Sequence, residues 1–419
     1  MKIAIYHNLP SGGAKRTLHD SVQRLAARHS IDVYTLSCAN HTFGDLRPFA
    51  ARHEVFPFQP LPLFRSPLGR LNQVVRLADL LRLRLVTRRV AALIQSRAYD
   101  LVFVQPCQFE KAPSVLRDLG GVPTVYYCHE SLRVLYEQMP ARPYDKADSS
   151  ARQMANRLDP LPALYQAALR RSDQMNIHGA RRVLVNSIYV QQVVQQVYGI
   201  GAQVSYHGVD EQLFQPARSE STRSEQQRMV LSVGSLTPLK GFDFILRALA
   251  HLPVAQRPRL VIVSNFQNPP EKAYLQGLAH EVGVETEFLL NVSDERLATL
   301  YNQAALTVYA PVREPFGLVP LESMACGTPV VAVREGGVGE SVLHEQTGLL
   351  VERDEQAFAA AVARLLDDPA LAQAYGEHGR AHVLAQWTWE RAMRTLEDHF
   401  RATLAPQGTE HAAAPTLAH

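Results

Sequence analysis

Cysteine is scarce and scattered in this chain of 419 residues: Cys38, Cys107, Cys128 and Cys326 form no C-x-x-C pair and stand at no metal-ligand spacing with a histidine. Neither a zinc site nor a disulfide framework is expected. Long uncharged runs are missing as well. The stretch around Leu77 to Leu85 is interrupted by Arg82 and Arg84, well short of the roughly 18 to 20 apolar residues of a spanning helix. The opening Met1-Lys2-Ile3-Ala4-Ile5-Tyr6 is too short for the apolar centre of a signal peptide and has no cleavage site, so it reads as a first strand of a cytoplasmic protein. Charge of one sign is not in excess either. With 43 basic against 40 acidic side chains and a net charge of +3, a nucleic-acid partner is not expected. At 46% hydrophobic and 20% charged residues, whole-chain disorder, collagen and coiled coil are excluded.

What is present is alternation. Short β-rich runs, at 2–6, 32–36, 101–104, 124–127 and 182–185, and then at 230–233, 260–263, 287–290, 306–309, 330–333 and 348–351, are separated by helical patterns. This order predicts an α/β chain with parallel sheets covered on both faces. Ala14 to Arg28 forms a helix whose Leu18, Val22, Leu25 and Ala26 make one apolar face, with Arg16, Asp20, Gln23 and Arg24 opposite. The length suggests two or three domains at about 150 residues each. Gln215 to Arg228 is polar and charge-mixed, as an exposed connection would be. Two Rossmann-like, doubly wound domains follow: residues 1–205, joined by a last helix at about 388–404, and residues 206–387, with a disordered tail at 405–419. Chemistry belongs in the cleft where the carboxyl ends of the two sheets face each other.

The sharpest motif runs from Pro311 to Pro329, with Glu314 in the turn after a strand and Glu322 on the helix that begins near Gly317. Free amides of Phe316, Gly317 and Leu318 form an anion site, and Gly317 admits close backbone approach. Carboxylates flanking such a site suit hydroxyl groups better than phosphate. A ligand with both a phosphate and sugar rings is implied.

This Glu-x7-Glu pattern resembles the signature of family 4 retaining glycosyltransferases, which have the GT-B fold. Pro10 to Gly13, Tyr126 to Glu130, Val185 to Ser187, His207 to Asp210, Val233 to Gly241 and Gly336 to Glu340 are similar to further family stretches, and the likeness extends from Met1 to about Phe400. The resemblance implies transfer of a sugar from a nucleoside diphosphate to a hydroxyl acceptor with retention at the anomeric carbon. It implies acceptor binding in the first domain and donor binding in the second. Glu322 would hold ribose hydroxyls, Glu314 hydroxyls of the donor sugar, Lys240 the diphosphate, and His129 the donor sugar and its proximal phosphate; Gly12 and Gly13 would approach the donor from across the cleft. Donor-site expectations thus comprise Gly12, Gly13, Ser235, Lys240, Glu314, Phe316, Gly317, Leu318 and Glu322, with Glu314, His129 and Lys240 as the catalytic set and base contacts near Val292 to Leu297. No cofactor and no metal are expected: Asp-x-Asp is absent, and Lys240, a helix dipole and backbone amides can take over its electrostatic role. Ser235 stands where many relatives have arginine, so Arg313 or Lys15 is a candidate to assist Lys240, and Ser264-Asn265 replaces a frequent glycine pair. Two alternatives remain open at this point, a nucleotide-sugar epimerase of the same fold and a non-catalytic nucleotide-sugar-binding subunit.

Leu63 to Arg97 stands apart. Arg65, Arg70, Arg76, Arg82, Arg84, Arg88, Arg89 and Arg97 face one acid within the segment, Asp79, and leucines and valines run between them. This reads either as a core helix with solvated arginines or as a peripheral contact with an anionic membrane that presents the acceptor.

Overall fold

A computed structural model describes residues 1–65, 68–145, 159–217, 229–266 and 268–405. Residues 218–228 of the polar connection and 406–419 of the tail lie outside the described residues.

Seven strands, β1 (Lys2–Asn8), β2 (Ser30–Leu36), β3 (Arg52–Phe56), β4 (Leu101–Cys107), β5 (Thr124–Cys128), β6 (Arg182–Val185) and β7 (Gln203–Val204), form the first sheet in the order β3-β2-β1-β4-β5-β6-β7. The second contains β8 (Met229–Val233), β9 (Arg259–Ser264), β10 (Thr286–Leu290), β11 (Leu306–Tyr309), β12 (Val330–Val333) and β13 (Gly348–Val351), ordered β10-β9-β8-β11-β12-β13. Every pairing is parallel. Each strand expected from the sequence is present. Two others, β3 and β7, are new. β3 is an edge strand, Arg-His-Glu-Val-Phe, that pairs with β2 alone and has no fully buried residue, so it carries no period-2 apolar signal; β7 has only two residues.

The strand order reverses between β1 and β4 in one sheet and between β8 and β11 in the other. Loops leaving opposite sides of such a switch diverge and leave a crevice at the carboxyl edge. The loops after β1, β8 and β11 therefore wall the cleft.

The two halves are tied at two places. The closing helix (Trp389–Leu404) packs Trp389, Met393, Leu396 and Phe400 against Ile3, Ile5, Leu18 and Val22 of the first domain, with the Phe400 ring edge-on to Phe103 at 5.1 Å. Gly208 permits this return, because a Cβ there would lie 2.5 Å from the Trp389 backbone. Elsewhere, Arg142, 5% exposed at its side chain, extends from the segment after β5 to the carboxylates of Glu271 and Asp243 at 3.0 Å each, and to the Pro238 carbonyl at 3.3 Å. The Tyr144 hydroxyl donates to Glu271 at 2.5 Å.

The arginine-rich segment is the helix Asn72–Gln95, preceded by a short turn. Leu83, Val90, Ala91 and Ile94 enter the core, whereas Leu71, Val74, Leu81 and Leu85 are exposed. Its arginines are less free than the local sequence indicates. Arg84 pairs with Asp118 and Arg97 with Glu54, because acids distant in sequence fold against the helix, and Arg82 pairs with Asp79 one turn away on the helix itself.

Candidate active site

A cleft of about 810 Å³ separates the carboxyl edges of the sheets, and all ten candidate residues, Gly12, Gly13, His129, Ser235, Lys240, Glu314, Phe316, Gly317, Leu318 and Glu322, line it. Its C-terminal wall begins where β11 ends. The chain turns through Glu314 and Pro315, and Gly317, at φ 90°, starts the helix Leu318–Ala325. A side chain is strained at that φ, and a Cβ would also press on the Tyr309 ring at 3.3 Å. The Gly337 amide donates to the Glu314 carbonyl at 2.8 Å, which fixes the turn from behind.

Glu314 and Lys240 find each other on this wall. Lys240 ends the short 3-10 turn Pro238–Lys240 after β8, and its Nζ donates to Glu314 Oε2 at 2.7 Å. Glu322, 4% exposed, points inward from the helix. The Tyr301 hydroxyl donates to its Oε2 at 2.8 Å, and Arg16 donates to Oε1 at 3.2 Å. Burial pushes the Glu322 carboxyl above the usual carboxylate range, opposed by the Arg16 charge and the Tyr301 hydrogen bond.

The opposing wall is assembled from separate strand ends. Gly12 and Gly13 start the first helix (Gly13–Ala26) after β1, and a Cβ on either would meet no protein atom within 4 Å. Their bareness faces the cleft. His129 follows β5; Gln105 Oε1 lies 3.0 Å from its Nε2, its ring stacks on His207 at 5.2 Å, and the Tyr127 ring lies tilted against it at 4.7 Å. Burial, with Lys111 nearby, lowers its pKa to about 3, so the imidazole is neutral.

Three assignments change. Arg16 does not belong to a solvent-facing side of the first helix: it crosses the cleft to Glu322 and lies 3.4 Å from Asp294. Lys15 is no phosphate cation. It is 2% exposed, its Nζ lies 3.3 Å from His7 Nε2, and burial lowers its pKa to about 8. Arg313 is committed to Glu137 at 3.5 Å and does not line the cleft. Among the described residues, the cations that do line it, besides Lys240, are Arg16 and Arg133, and Arg133 is held by Glu137 and the Val312 carbonyl at 2.9 Å each. Ser264 Oγ accepts from the amides of Leu236 and Phe266, which pins two cleft loops together. Arg16, Arg133 and Tyr301 were invisible to sequence reasoning, since each reaches a partner far along the chain, Arg133 the Val312 carbonyl in addition to its neighbour Glu137.

Two family models match the chain in succession, one described as Glycosyltransferase Family 4 over residues 11–213 and one as Glycosyl transferases group 1 over residues 214–382. A D-inositol 3-phosphate glycosyltransferase of Nocardiopsis dassonvillei is 30% identical over 426 residues, covering 96% of this chain and 92% of the relative. The chain belongs to glycosyltransferase family 4. It is a sugar transferase of the GT-B fold. Among solved structures, sucrose-phosphate synthase of Thermosynechococcus elongatus superposes with a TM-score of 0.70 at 24% identity, over 96% of this chain and 98% of its own. HepE of Anabaena, in complex with UDP and glucose, superposes with a TM-score of 0.67 at 21% identity, over 96% of this chain and all (100%) of its own.

Proposed function

We propose that this glycosyltransferase takes its sugar from a nucleoside diphosphate donor, passes it to a hydroxyl acceptor and retains the anomeric configuration. The observation that carries the reading is the Lys240–Glu314 pair beside the Phe316–Leu318 amides, with Glu322 one helix turn further on. Donor phosphates compete with Glu314 for Lys240. As the lysine turns to the diphosphate, Glu314 is released to accept hydroxyls of the donor sugar, while Glu322 takes the ribose. The bond from the anomeric carbon to the phosphate oxygen then breaks, the bond to the acceptor oxygen forms on the same face, and the acceptor's proton passes to the departing phosphate. Charge on that leaving group is offset by Lys240 and the helix start, without a metal. His129, neutral and oriented by Gln105, is placed to hydrogen-bond the reacting sugar.

A panel of nucleoside diphosphates and their sugars tests this by thermal shift, since a ligand at 100 times its dissociation constant adds about 2.7 kcal/mol of stability. Shifts with at least one diphosphate and its sugar are expected, together with release of free nucleoside diphosphate that depends on acceptor. No shift with any of them, equal release without acceptor, or no release at all refutes the reading; acceptor-independent release would favour an epimerase, and a shift without any release a non-catalytic binding subunit.

No helix among the described residues is long and apolar enough to cross a membrane. The reading extends to peripheral docking on anionic lipid through the exposed Leu63, Phe64, Leu71, Leu81 and Leu85 with Arg65, Arg70, Arg88 and Arg89. Each such cation is worth about 1 kcal/mol near an anionic surface. Sedimentation with anionic vesicles at low salt should be lost when Arg65, Arg70, Arg88 and Arg89 become glutamine; unchanged sedimentation refutes the contact.

A further inference from the structure

One segment of the first domain spends its charged side chains on the second. Residues 133–145, which leave the carboxyl end of β5 just past His129, begin with the short helix Arg133–Tyr136 and run on to Asp145. Arg133 donates to the Val312 carbonyl at 2.9 Å and to Glu137, whose carboxylate also pairs with Arg313 at 3.5 Å. Further on, Arg142 donates to the carboxylates of Glu271 and Asp243 at 3.0 Å each, and to the Pro238 carbonyl at 3.3 Å. The segment is a strap with two grips.

Both grips fall on turns that carry the charged pair of the C-terminal wall. Val312 lies two residues before Glu314 and Pro238 two residues before Lys240, and the turns are joined to each other by the Val312 amide, which donates to the Leu239 carbonyl at 2.8 Å. Gly241, at φ 65°, lets the second turn close on the Ala310 carbonyl, which a Cβ would meet at 2.0 Å. The backbones that carry Lys240 and Glu314 therefore form one unit. The strap holds that unit at two points.

The chemistry of the second grip separates positioning from mere attachment. Asp243 has a further cation, Arg247 at 3.1 Å, and Glu271 a further donor, the Tyr144 hydroxyl, so fastening the strap to these carboxylates does not by itself call for a guanidinium. Only a planar fork can span them and a carbonyl together: Arg142 Nη2 donates to Asp243, Glu271 and the Pro238 carbonyl, which fixes the turn before Lys240 against both acids. Arg142 is itself held. Its amide donates to Asp145 at 2.9 Å, and its guanidinium lies over the Tyr274 ring at 5.3 Å. Resting on the donor reading above, in which Lys240 meets the diphosphate, we propose that Arg142 is a positioning residue in the first domain for Lys240 in the second, with Arg133 its counterpart on the Glu314 side.

The test is a double-mutant cycle on affinity for free nucleoside diphosphate, by calorimetric titration with UDP, GDP, ADP, CDP and TDP, continued with those that bind. Arg142→Lys keeps a charge but cannot donate to Glu271, Asp243 and the Pro238 carbonyl at once. It should weaken binding on the order of tenfold in the otherwise native chain, and less than about twofold in the Lys240→Ala background, where there is no ammonium left to position. Tyr144→Phe, which loosens the strap at Glu271 without touching Pro238, should lower the urea midpoint and leave affinity within about twofold. Weakening by the same factor in both backgrounds, no weakening in either, or an equal loss in Tyr144→Phe would overturn the assignment and leave Arg142 a structural tie. Should Arg142→Lys fail to fold, Arg133→Lys, which can keep Glu137 or the Val312 carbonyl but not both, decides through the same cycle. If the native chain binds none of these diphosphates, or Lys240→Ala binds them as tightly as the native chain, the donor reading itself falls and this inference with it; if Lys240→Ala weakens binding and Arg142→Lys acts independently of it, only the positioning role falls.

Discussion

The two walls of the cleft are built differently. The C-terminal wall draws Glu314, Phe316, Gly317 and Glu322 from one strand, one turn and one helix, whereas the N-terminal wall gathers Gly12, Arg16, His129 and Arg133 from loops and helices after separate strands. Their charges are complementary. One acid is neutralised within its own wall, Glu314 by Lys240 at 2.7 Å; the other is neutralised across the cleft, Glu322 by Arg16 at 3.2 Å. A pair inside one wall moves with its domain and can be rearranged by ligand alone. A pair across the cleft depends on the separation of the two domains, so a change in that separation would act on Glu322.

The largest effect is expected where the walls are tied outside the cleft. Arg142→Ala would leave Glu271, fully buried, without its cation, whereas Asp243 keeps Arg247 at 3.1 Å. Breaking such a buried pair costs about 3 to 5 kcal/mol, to be read as a lowered urea midpoint. A loss below about 1 kcal/mol would mean that the tie contributes nothing to holding the halves together. Because Arg142 also holds the Pro238 carbonyl, two residues before Lys240, activity should fall as well.

Next come changes within the C-terminal wall. Lys240→Ala should cost about 2 to 4 kcal/mol in kcat/KM, the range for removing one preorganised charge-stabilising donor. Glu314→Ala should lower kcat more than it weakens donor binding, and Glu322→Ala the reverse, because a ribose contact is equally present in ground and transition states. Wild-type kinetics in all three variants would remove this wall from the chemistry.

The same contrast explains what was legible in the sequence. The alternation of strands and helices, the doubly wound architecture and the Glu314–Glu322 motif depend on short-range patterns, and each could be read along the chain. Arg16 could not. It occupies the polar side of an amphipathic helix, and nothing local distinguishes a side chain facing water from one facing another domain. Lys15 misled for the converse reason: its neighbours His7 and Asp45 surround it through loop packing, which turns an apparent surface cation into a buried one. Glu322, on a helix that locally looks ordinary, is buried because Tyr301 and Arg16 approach from distant segments.

The smallest effect, and the one that separates the walls most finely, concerns Arg16. Burial already raises the Glu322 carboxyl, and Arg16 opposes that rise. Arg16→Gln therefore raises it further, so at a given pH more of Glu322 is protonated. A protonated carboxyl cannot accept from both ribose hydroxyls. The variant's affinity for nucleoside diphosphate should accordingly begin to fall at a higher pH than that of the wild-type chain as pH is lowered. On the alkaline plateau of that profile the variant should bind as tightly as the wild type or more tightly, because no guanidinium competes for Oε1. Calorimetric titration across a pH series checks both signs. Uniform weakening at every pH would instead make Arg16 a direct ligand of the donor, and the contact across the cleft would then belong to the nucleotide site rather than to domain closure.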